Sequence, residues 1–275
     1  MKVKCGICPQ ECVLDEGQTG FCRARSAKDG AVVCDNYGLI TSMALDPIEK
    51  KPLRCFRSGS SILSVGSFGC NLRCAFCQNH EISMCSRERA KTVPVSPEEL
   101  VDKALSLRSS SNIGLAYTYN EPLVGYEYVR DCSVLAHEHG LCNVLVTNGY
   151  INEEPLRELL PLIDAMNIDL KAFTEEYYQT LHGHIEPVKR TIAIAAAQCH
   201  VEVTTLIIPG QNDSPDEMRV LSEWLAGVSP GIPLHISRFF PRYQMADGDA
   251  TPVETIYALA DIASASLKFV YTGNC

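Results

Sequence analysis

The hydrophobic pattern of the chain changes near residue 60. From Ser61 onward, short apolar and β-branched runs alternate with longer segments of helical period. This alternation predicts βα units around a parallel sheet. The predicted strands are 61–68, 113–119, 142–147, 164–169, 201–208, 233–239 and 268–272, and the predicted helices are 96–109, 123–139, 153–160, 173–181, 187–198, 215–227 and 253–266. Seven strands are too few for a closed eight-stranded barrel, so the pattern favours an α/β fold built as an open, partial βα barrel of six to seven parallel strands.

The first 58 residues follow neither period. They are rich in Cys and Gly and contain no long amphipathic repeat. We therefore predict a small Cys-rich appendage at residues 1–58, stabilised by metal or by its loops, followed by the partial barrel at residues 59–275. A chain of 275 residues is long enough for both.

Composition and charge narrow the possible partners. Hydrophobic residues make up 46% and charged residues 21% of the chain, as in ordinary folded proteins. The first five residues, Met1–Cys5, lack the apolar stretch of a secretion signal, which predicts a cytoplasmic location. The net charge of −9 provides no basic footprint for a nucleic acid, and no apolar run approaches the roughly 20 residues that span a bilayer, so we expect neither a nucleic-acid nor a membrane partner.

Fourteen cysteines in a chain without a secretion signal indicate metal ligation or redox chemistry, because disulfides are rare in a reducing cytosol. Cys70, Cys74 and Cys77 lie within eight residues, directly after the first predicted strand of the barrel. Three thiolates can hold a four-iron cluster and leave one iron open to a ligand that is not protein. Zinc is the alternative, but structural zinc normally takes four protein ligands and three-ligand catalytic sites usually include histidine. Three buried cysteines clustered by coincidence are the least favoured reading.

The motif Cys70-x3-Cys74-x2-Cys77, with Phe76 before its last cysteine, resembles the motif of the radical SAM superfamily. The resemblance implies a [4Fe-4S] cluster whose open iron is chelated by S-adenosylmethionine. An electron from an external donor then passes through the cluster, cleaves a carbon–sulfur bond of S-adenosylmethionine and starts hydrogen abstraction from a substrate. The cofactors perform the difficult step and the protein orients them.

Segments at the ends of later strands extend this resemblance. Glu121 is the last residue of the segment Tyr117–Glu121. The superfamily has a Gly-Gly-Glu turn at this place, and here Tyr119 and Asn120 replace the two glycines. Thr147-Asn148-Gly149 and Asp169-Leu170-Lys171 are similar to segments of pyruvate formate-lyase-activating enzymes. The residues implied to bind S-adenosylmethionine are Phe76, Asn120, Glu121, Thr147, Asn148, Asp169, Lys171 and His235.

Each of these assignments has a structural alternative. Thr147-Asn148-Gly149 can be an ordinary turn, and Asp169 and Lys171 can form a surface ion pair of little energetic value. His235, on an apolar strand, can be a core residue. Val146 stands where activating enzymes tend to place an aspartate near a monovalent cation, which leaves such a cation site open.

Across nearly the whole chain, the motifs resemble the AmmeMemoRadiSam-system radical SAM proteins, which are similar to pyruvate formate-lyase-activating enzymes. The motifs concerned are Cys5-Gly6-Ile7-Cys8-Pro9-x2-Cys12 with Gly20-x-Cys22, Asp46-Pro47-Ile48-Glu49-Lys50-Lys51-Pro52-Leu53, Gly69-Cys70-Asn71-Leu72, Cys77-Gln78-Asn79, Tyr117-Thr118-Tyr119-Asn120-Glu121-Pro122 and Ser237-Arg238-Phe239. The reaction implied first is formation of a glycyl radical on a partner protein. Radical modification of a small molecule or peptide is the second possibility, and a metal-binding interaction module without catalysis is the third.

A second group of cysteines precedes the barrel. Cys5, Cys8, Cys12 and Cys22 provide enough ligands for a closed tetrahedral zinc site or for a second iron–sulfur cluster. Their spacing does not distinguish the two metals. We therefore predict a metal site here without assigning its metal from the sequence.

Overall fold

The computed structural model describes residues 2–275, and most of its strands join one large sheet. The strands are β1 (Val3–Lys4), β2 (Val13–Leu14), β3 (Arg25–Lys28), β4 (Ala31–Cys34), β5 (Leu39–Ile40), β6 (Ser42–Pro47), β7 (Ser61–Gly66), β8 (Val93–Pro94), β9 (Asn112–Tyr117), β10 (Cys142–Thr147), β11 (Ala165–Asp169), β12 (His200–Ile207), β13 (Leu234–Arg238) and β14 (Val270–Gly273). The helices are α1 (His80–Ser83), α2 (Pro97–Ser106), α3 (Tyr126–Glu138), α4 (Glu153–Leu159), α5 (Glu175–Thr180), α6 (Ile185–Ala196), α7 (Pro215–Val228) and α8 (Val253–Ser264).

The large sheet has eight strands in the order β14-β13-β12-β11-β10-β9-β7-β6. Seven of them are parallel and coincide with the seven predicted strands, whereas β6 pairs antiparallel with β7. Within residues 2–275, β6 and β14 are the edges of this sheet and do not pair with each other. The structure therefore confirms the prediction of an open, partial βα barrel.

The helices begin where local chemistry favours a start. Ser96 caps α2 in a capping box with Glu99, with Pro97 in the first turn. The Ser214 side chain accepts from the amide of Glu217 at the start of α7. All seven predicted helices are present, several with bounds shifted by a few residues.

The end of the barrel formed by the amino ends of the strands is filled by the segment that follows β6. Ile48 and Leu53 are fully buried and pack with Ile62, Ala116 and Val144, which project from β7, β9 and β10. The buried carboxylate of Glu202 on β12 accepts the backbone N–H groups of Arg54 at 3.0 Å and Cys55 at 2.7 Å. We call residues 48–56 the plug.

The plug and β6 both lie within the predicted appendage of residues 1–58. The structure places β6 at an edge of the large sheet and the plug inside the barrel, so part of this region belongs to the barrel by packing. Division of the chain at residues 58 and 59 into two domains stays a prediction. No helix in residues 2–275 has the length and apolar character needed to cross a bilayer.

Candidate functional site

A cavity of about 300 Å³ opens at the carboxyl ends of the parallel strands. This is the edge of an open parallel sheet at which ligands generally bind. The lining includes seven of the eight residues implied to bind S-adenosylmethionine and all three clustered cysteines, namely Cys70, Cys74, Cys77, Phe76, Asn120, Glu121, Thr147, Asn148, Asp169 and Lys171. The parallel topology therefore gathers residues that are about 100 positions apart in the chain.

The loop that carries the three cysteines follows β7 directly, and we call residues 67–79 the cysteine loop. Gly69 has a φ of +92°, and a Cβ there would lie 2.6 Å from the carbonyl oxygen of Cys22, so this position requires glycine. The Asn120 side chain accepts from the amide of Ser67 at 2.9 Å and donates to the carbonyls of Phe68 at 3.2 Å and Gly69 at 3.1 Å. Asn120 thus fixes the start of the cysteine loop.

Hydrogen-bond donors surround the Cys70 sulfur. The Asn148 Nδ2 lies 3.7 Å from Cys70 Sγ and donates to the Asn71 side chain at 2.9 Å, and the Leu72 amide lies 3.5 Å from the same sulfur. Burial raises the pKa of the Cys70 thiol well above its ordinary value. A thiolate forms here only if a cation compensates the cost of burying the negative charge.

Glu121 joins the ends of two adjacent strands. Its carboxylate accepts from the Thr147 hydroxyl at 2.7 Å, the Asn148 amide at 2.7 Å and the Leu123 amide at 3.0 Å. Burial raises the pKa of Glu121 to about 7 despite these donors. Because a carboxylate has about four acceptor positions, these three bonds leave one available to a ligand.

Asp169 and Lys171 form an ion pair at the end of β11. Lys171 Nζ lies 2.7 Å from Asp169 Oδ2, and both side chains line the cavity. Burial alone would lower the pKa of Lys171, but Asp169 and Cys74 outweigh it and the net shift is upward. The ammonium therefore stays charged and can pair with an anionic ligand group in the cavity.

His235 is the implied contact that the structure does not bring to the cavity. Its Nε2 lies 2.6 Å from Glu202 Oε2, and His200 Nε2 lies 2.9 Å from Glu202 Oε1. Glu202 also accepts the amides of the plug, so His235 belongs to the packing of the barrel interior. The cavity is lined two residues further along β13 by Ser237, and a cofactor contact by His235 stays a prediction.

Sequence reasoning missed several residues of the cavity wall. Gln78 and Asn79 in the cysteine loop, Thr204 and Leu206 on β12, Ser237 on β13 and Asn274 after β14 contribute to the lining. Ser237 and Asn274 lie at or just after strand ends, which was the available signal, but single Ser and Asn residues there are too common to be selected. Asn274 has a φ of +64°, a conformation that Asn tolerates better than most residues.

The donor set at the triplet fits a cluster held by thiolates. The three cysteines share one cavity, no other cysteine lines it, and N–H groups are aimed at Cys70 Sγ. In residues 2–275, no three His, Cys, Asp or Glu side chains are already gathered as ligands of one metal ion. A four-iron cluster differs from a single ion, because each thiolate binds a different iron atom.

The amino-terminal cysteines also come together. Cys5, Cys8, Cys12 and Cys22 line a second cavity, of about 10 Å³, with Arg25 in its wall. Burial raises the pKa of Cys8 to about 12 and that of Cys22 to about 11, so both are thiols at neutral pH unless a cation binds. This group lies against the cysteine loop, because the Cys70 amide donates to the Cys22 carbonyl at 3.2 Å.

The fold and this cavity define the class of protein. The chain matches the model of the radical SAM superfamily over residues 64–221, more than half of its length, and it belongs to that superfamily. Membership implies a [4Fe-4S] cluster and S-adenosylmethionine as cofactors. The resemblance drawn from the Cys70, Cys74 and Cys77 motif is thereby confirmed at the level of the superfamily.

Individual relatives differ in how much of the chain they share. An uncharacterised protein of Methanocaldococcus jannaschii is 41% identical over 276 residues, which cover 99% of this chain and 81% of that protein. The pyruvate formate-lyase 1-activating enzyme of Escherichia coli is 26% identical over 163 residues, which cover 57% of this chain and 65% of the enzyme.

Among solved structures, Streptococcus suis SuiB bound to S-adenosylmethionine has a TM-score of 0.60 and 11% identity, and the match covers 78% of this chain and 52% of SuiB. At this identity the likeness shows the fold alone.

Proposed function

We propose that this protein cleaves S-adenosylmethionine reductively at a [4Fe-4S] cluster held by Cys70, Cys74 and Cys77, and so starts hydrogen abstraction from a substrate. The observation that carries the proposal is that these thiols share one cavity with Glu121, Asn148 and the Asp169–Lys171 pair. When bound, the reduced cluster supplies the electron that breaks a carbon–sulfur bond of S-adenosylmethionine.

The charges around the cavity suit the methionyl end of S-adenosylmethionine. The remaining acceptor position of Glu121 suits an ammonium group, and the Lys171 ammonium suits a carboxylate. Asp169 offers an acceptor for hydroxyl groups, and Asn148 Oδ1, which accepts from the Tyr150 amide, has a second lone pair for the same purpose. Phe76, buried in the wall, presents an apolar surface. Orientation by several contacts at once is how a protein lowers the entropic cost of such a reaction.

The substrate we propose first is a protein that acquires a glycyl radical. The support is the relationship to the pyruvate formate-lyase-activating enzyme, which is detectable over 57% of this chain. An external reductant must supply the electron. A backbone glycine can reach the cofactor only if the cavity is open, and the unpaired edges β6 and β14 leave the barrel open.

The test is cofactor cleavage by anaerobically reconstituted, dithionite-reduced protein. Without substrate, we expect slow release of 5′-deoxyadenosine, because no abstractable hydrogen is held next to the cofactor. Cys74→Ser should abolish the release, while Cys275→Ser, which changes an exposed cysteine, should not. A protein with full cluster occupancy that forms no cofactor fragment would refute the proposal.

The same assay separates the kinds of substrate. A glycyl-radical substrate should raise the cleavage rate and acquire a protein radical that is visible by electron paramagnetic resonance. Turnover coupled to a small molecule or peptide, with no radical on any protein, would retain the chemistry and eliminate the activating-enzyme role.

A further inference from the structure

The four amino-terminal cysteines lie outside residues 64–221, which match the superfamily model. Their chemistry is therefore not explained by membership of the superfamily. We infer that Cys5, Cys8, Cys12 and Cys22 bind one structural zinc ion, and that this ion holds the cysteine loop in place. The zinc site itself does not depend on the proposed function, whereas its effect on the cluster rests on it.

The size of the cavity selects a single ion. The space among the four cysteines is about 10 Å³, whereas the cavity beside Cys70, Cys74 and Cys77 is about 300 Å³. A volume near 10 Å³ is about that needed for one water-sized occupant. The four sulfur atoms line this space but are not already gathered at ligand distance in residues 2–275, so they have to close around the ion as it binds. The space suits one ion, and it is too small for a cube of four irons and four sulfides. Zinc with four cysteines is a common closed structural site.

A hydrogen bond to one of the four sulfur atoms is of the kind that a bound thiolate needs. The Phe21 amide lies 3.4 Å from Cys12 Sγ and donates to it. Such N–H donors stabilise negative charge on sulfur. Cys12 is therefore already provided with a donor for a metal-bound thiolate.

Arg25 gives an independent indication that an anionic group belongs in this cavity. The residue is 4% exposed and lines the cavity, and its two terminal nitrogens bind Glu127 at 2.6 and 2.7 Å. Its buried Nε has no hydrogen-bond partner among residues 2–275. A buried N–H without a partner costs about 1–3 kcal/mol, and a metal-bound thiolate in this cavity would accept from it.

The four-cysteine site is packed directly on the cysteine loop. The Cys22 carbonyl accepts from the Cys70 amide at 3.2 Å, and the hydrogen of Gly69 is directed at the same carbonyl, where a Cβ would approach to 2.6 Å. Gln10 Nε2 donates to the Asn71 carbonyl at 3.1 Å. An ion that fixes the positions of Cys8, Cys12 and Cys22 therefore also fixes the backbone from which Cys70 projects.

The decisive measurement is the metal content of Cys74→Ser, which cannot assemble the three-thiolate cluster. We expect one zinc per chain in this variant. The matched control is the double variant Cys74→Ser, Cys275→Ser, which removes an exposed cysteine and should also bind one zinc. Adding Cys12→Ser should remove the zinc. No zinc, or about four irons retained at the amino-terminal cysteines, would overturn the inference. Because Cys74→Ser is inactive by design, failure here is distinct from failure of cofactor cleavage.

A second measurement covers the case in which Cys12→Ser fails to fold. The Cys74→Ser protein, stripped of metal and titrated with Co²⁺ alone, should bind one equivalent and show the absorption bands of a tetrahedral thiolate site. Absence of these bands from folded protein would contradict the zinc site.

In wild-type holoprotein, removal of zinc by a chelator should at least double the rate at which the cluster loses iron, and an unchanged rate would refute the role in holding the cysteine loop.

Discussion

At the scale of single residues, burial decides which polar groups of the barrel are structural and which are available to ligands. Asn120 and Thr147 use their side chains within the protein, whereas Lys171 and Asp169 keep atoms facing the cavity. The sequence predicted that these residues lie at strand ends, but it could not predict how deeply each side chain is buried. His235 and Ser237 lie on the same face of β13, and the roughly 7 Å between alternate residues of a strand separates core from cavity.

The Asp169–Lys171 pair and Asn148 can be tested through binding of S-adenosylmethionine. Asp169→Ala and Asn148→Ala should each weaken binding by about 1.5–3 kcal/mol, the scale of a hydrogen bond to a charged group, and Asp169→Ala should leave the cluster intact. Isothermal titration with holoprotein measures the change. Asp216→Ala, on the exposed surface of α7, is the matched control. Isotherms equal to wild type would remove both residues from the cofactor site.

Glu202 provides a prediction for the dependence of stability on pH. Burial would raise its pKa, but hydrogen bonds from His200, His235 and the amides of Cys55 and Arg54 lower it to about 2. Since the folded pKa lies below the unfolded one, Glu202 stabilises the protein above about pH 4.5, and this stability is lost as the pH falls toward 2. The contribution is on the order of 3 kcal/mol.

Glu202→Gln should therefore unfold at lower urea concentration at pH 7 and should show a smaller loss of stability between pH 5 and pH 3 than wild type. The measurement is the free energy of unfolding as a function of pH. Glu254→Gln, on the exposed side of α8, should retain the wild-type slope. Equal slopes for wild type and Glu202→Gln would show that Glu202 does not carry this dependence.

At the scale of elements, periodicity predicted the strands and helices of the barrel but not the plug. The seven parallel strands are apolar runs and the long helices repeat every three to four residues, so local patterns were sufficient. Ile48 and Leu53 are isolated apolar positions in a segment without a period, and their burial depends on contacts with strands far along the chain. The antiparallel pairing of β6 with β7 was missed for the same reason.

The plug can be tested by truncating one of its buried side chains. Ile48→Ala should lower the free energy of unfolding by about 2–5 kcal/mol, because it leaves a cavity between β7, β9 and β10. Val220→Ala, at a position that is 52% exposed on α7, should change it by less than about 0.5 kcal/mol. Urea unfolding at pH 7 measures both. A loss for Ile48→Ala no larger than the control's would show that the plug does not support the barrel.

At the scale of the whole molecule, the two cysteine groups and the barrel form one connected structure. Gln10 and Cys22 contact the cysteine loop, and residues 42–56 complete the barrel, so the amino-terminal part of the chain supports the site that the rest provides. The sequence predicted both cysteine groups as separate features. Their contact could not be predicted, since it depends on the carbonyl of Cys22 and the conformation of Gly69.

The plug also has a kinetic consequence. Because it fills the barrel from the amino ends of the strands, ligands cannot enter through that end and reach the cavity where the carboxyl ends of the strands and the open edges β6 and β14 leave it accessible. A large substrate bound over that entrance would obstruct exchange of S-adenosylmethionine, so we expect compulsory-order kinetics in which S-adenosylmethionine binds first and 5′-deoxyadenosine leaves last. Product inhibition by 5′-deoxyadenosine should then be competitive toward S-adenosylmethionine and noncompetitive toward the substrate, and a random-order pattern would mean that the cavity has a second route of access.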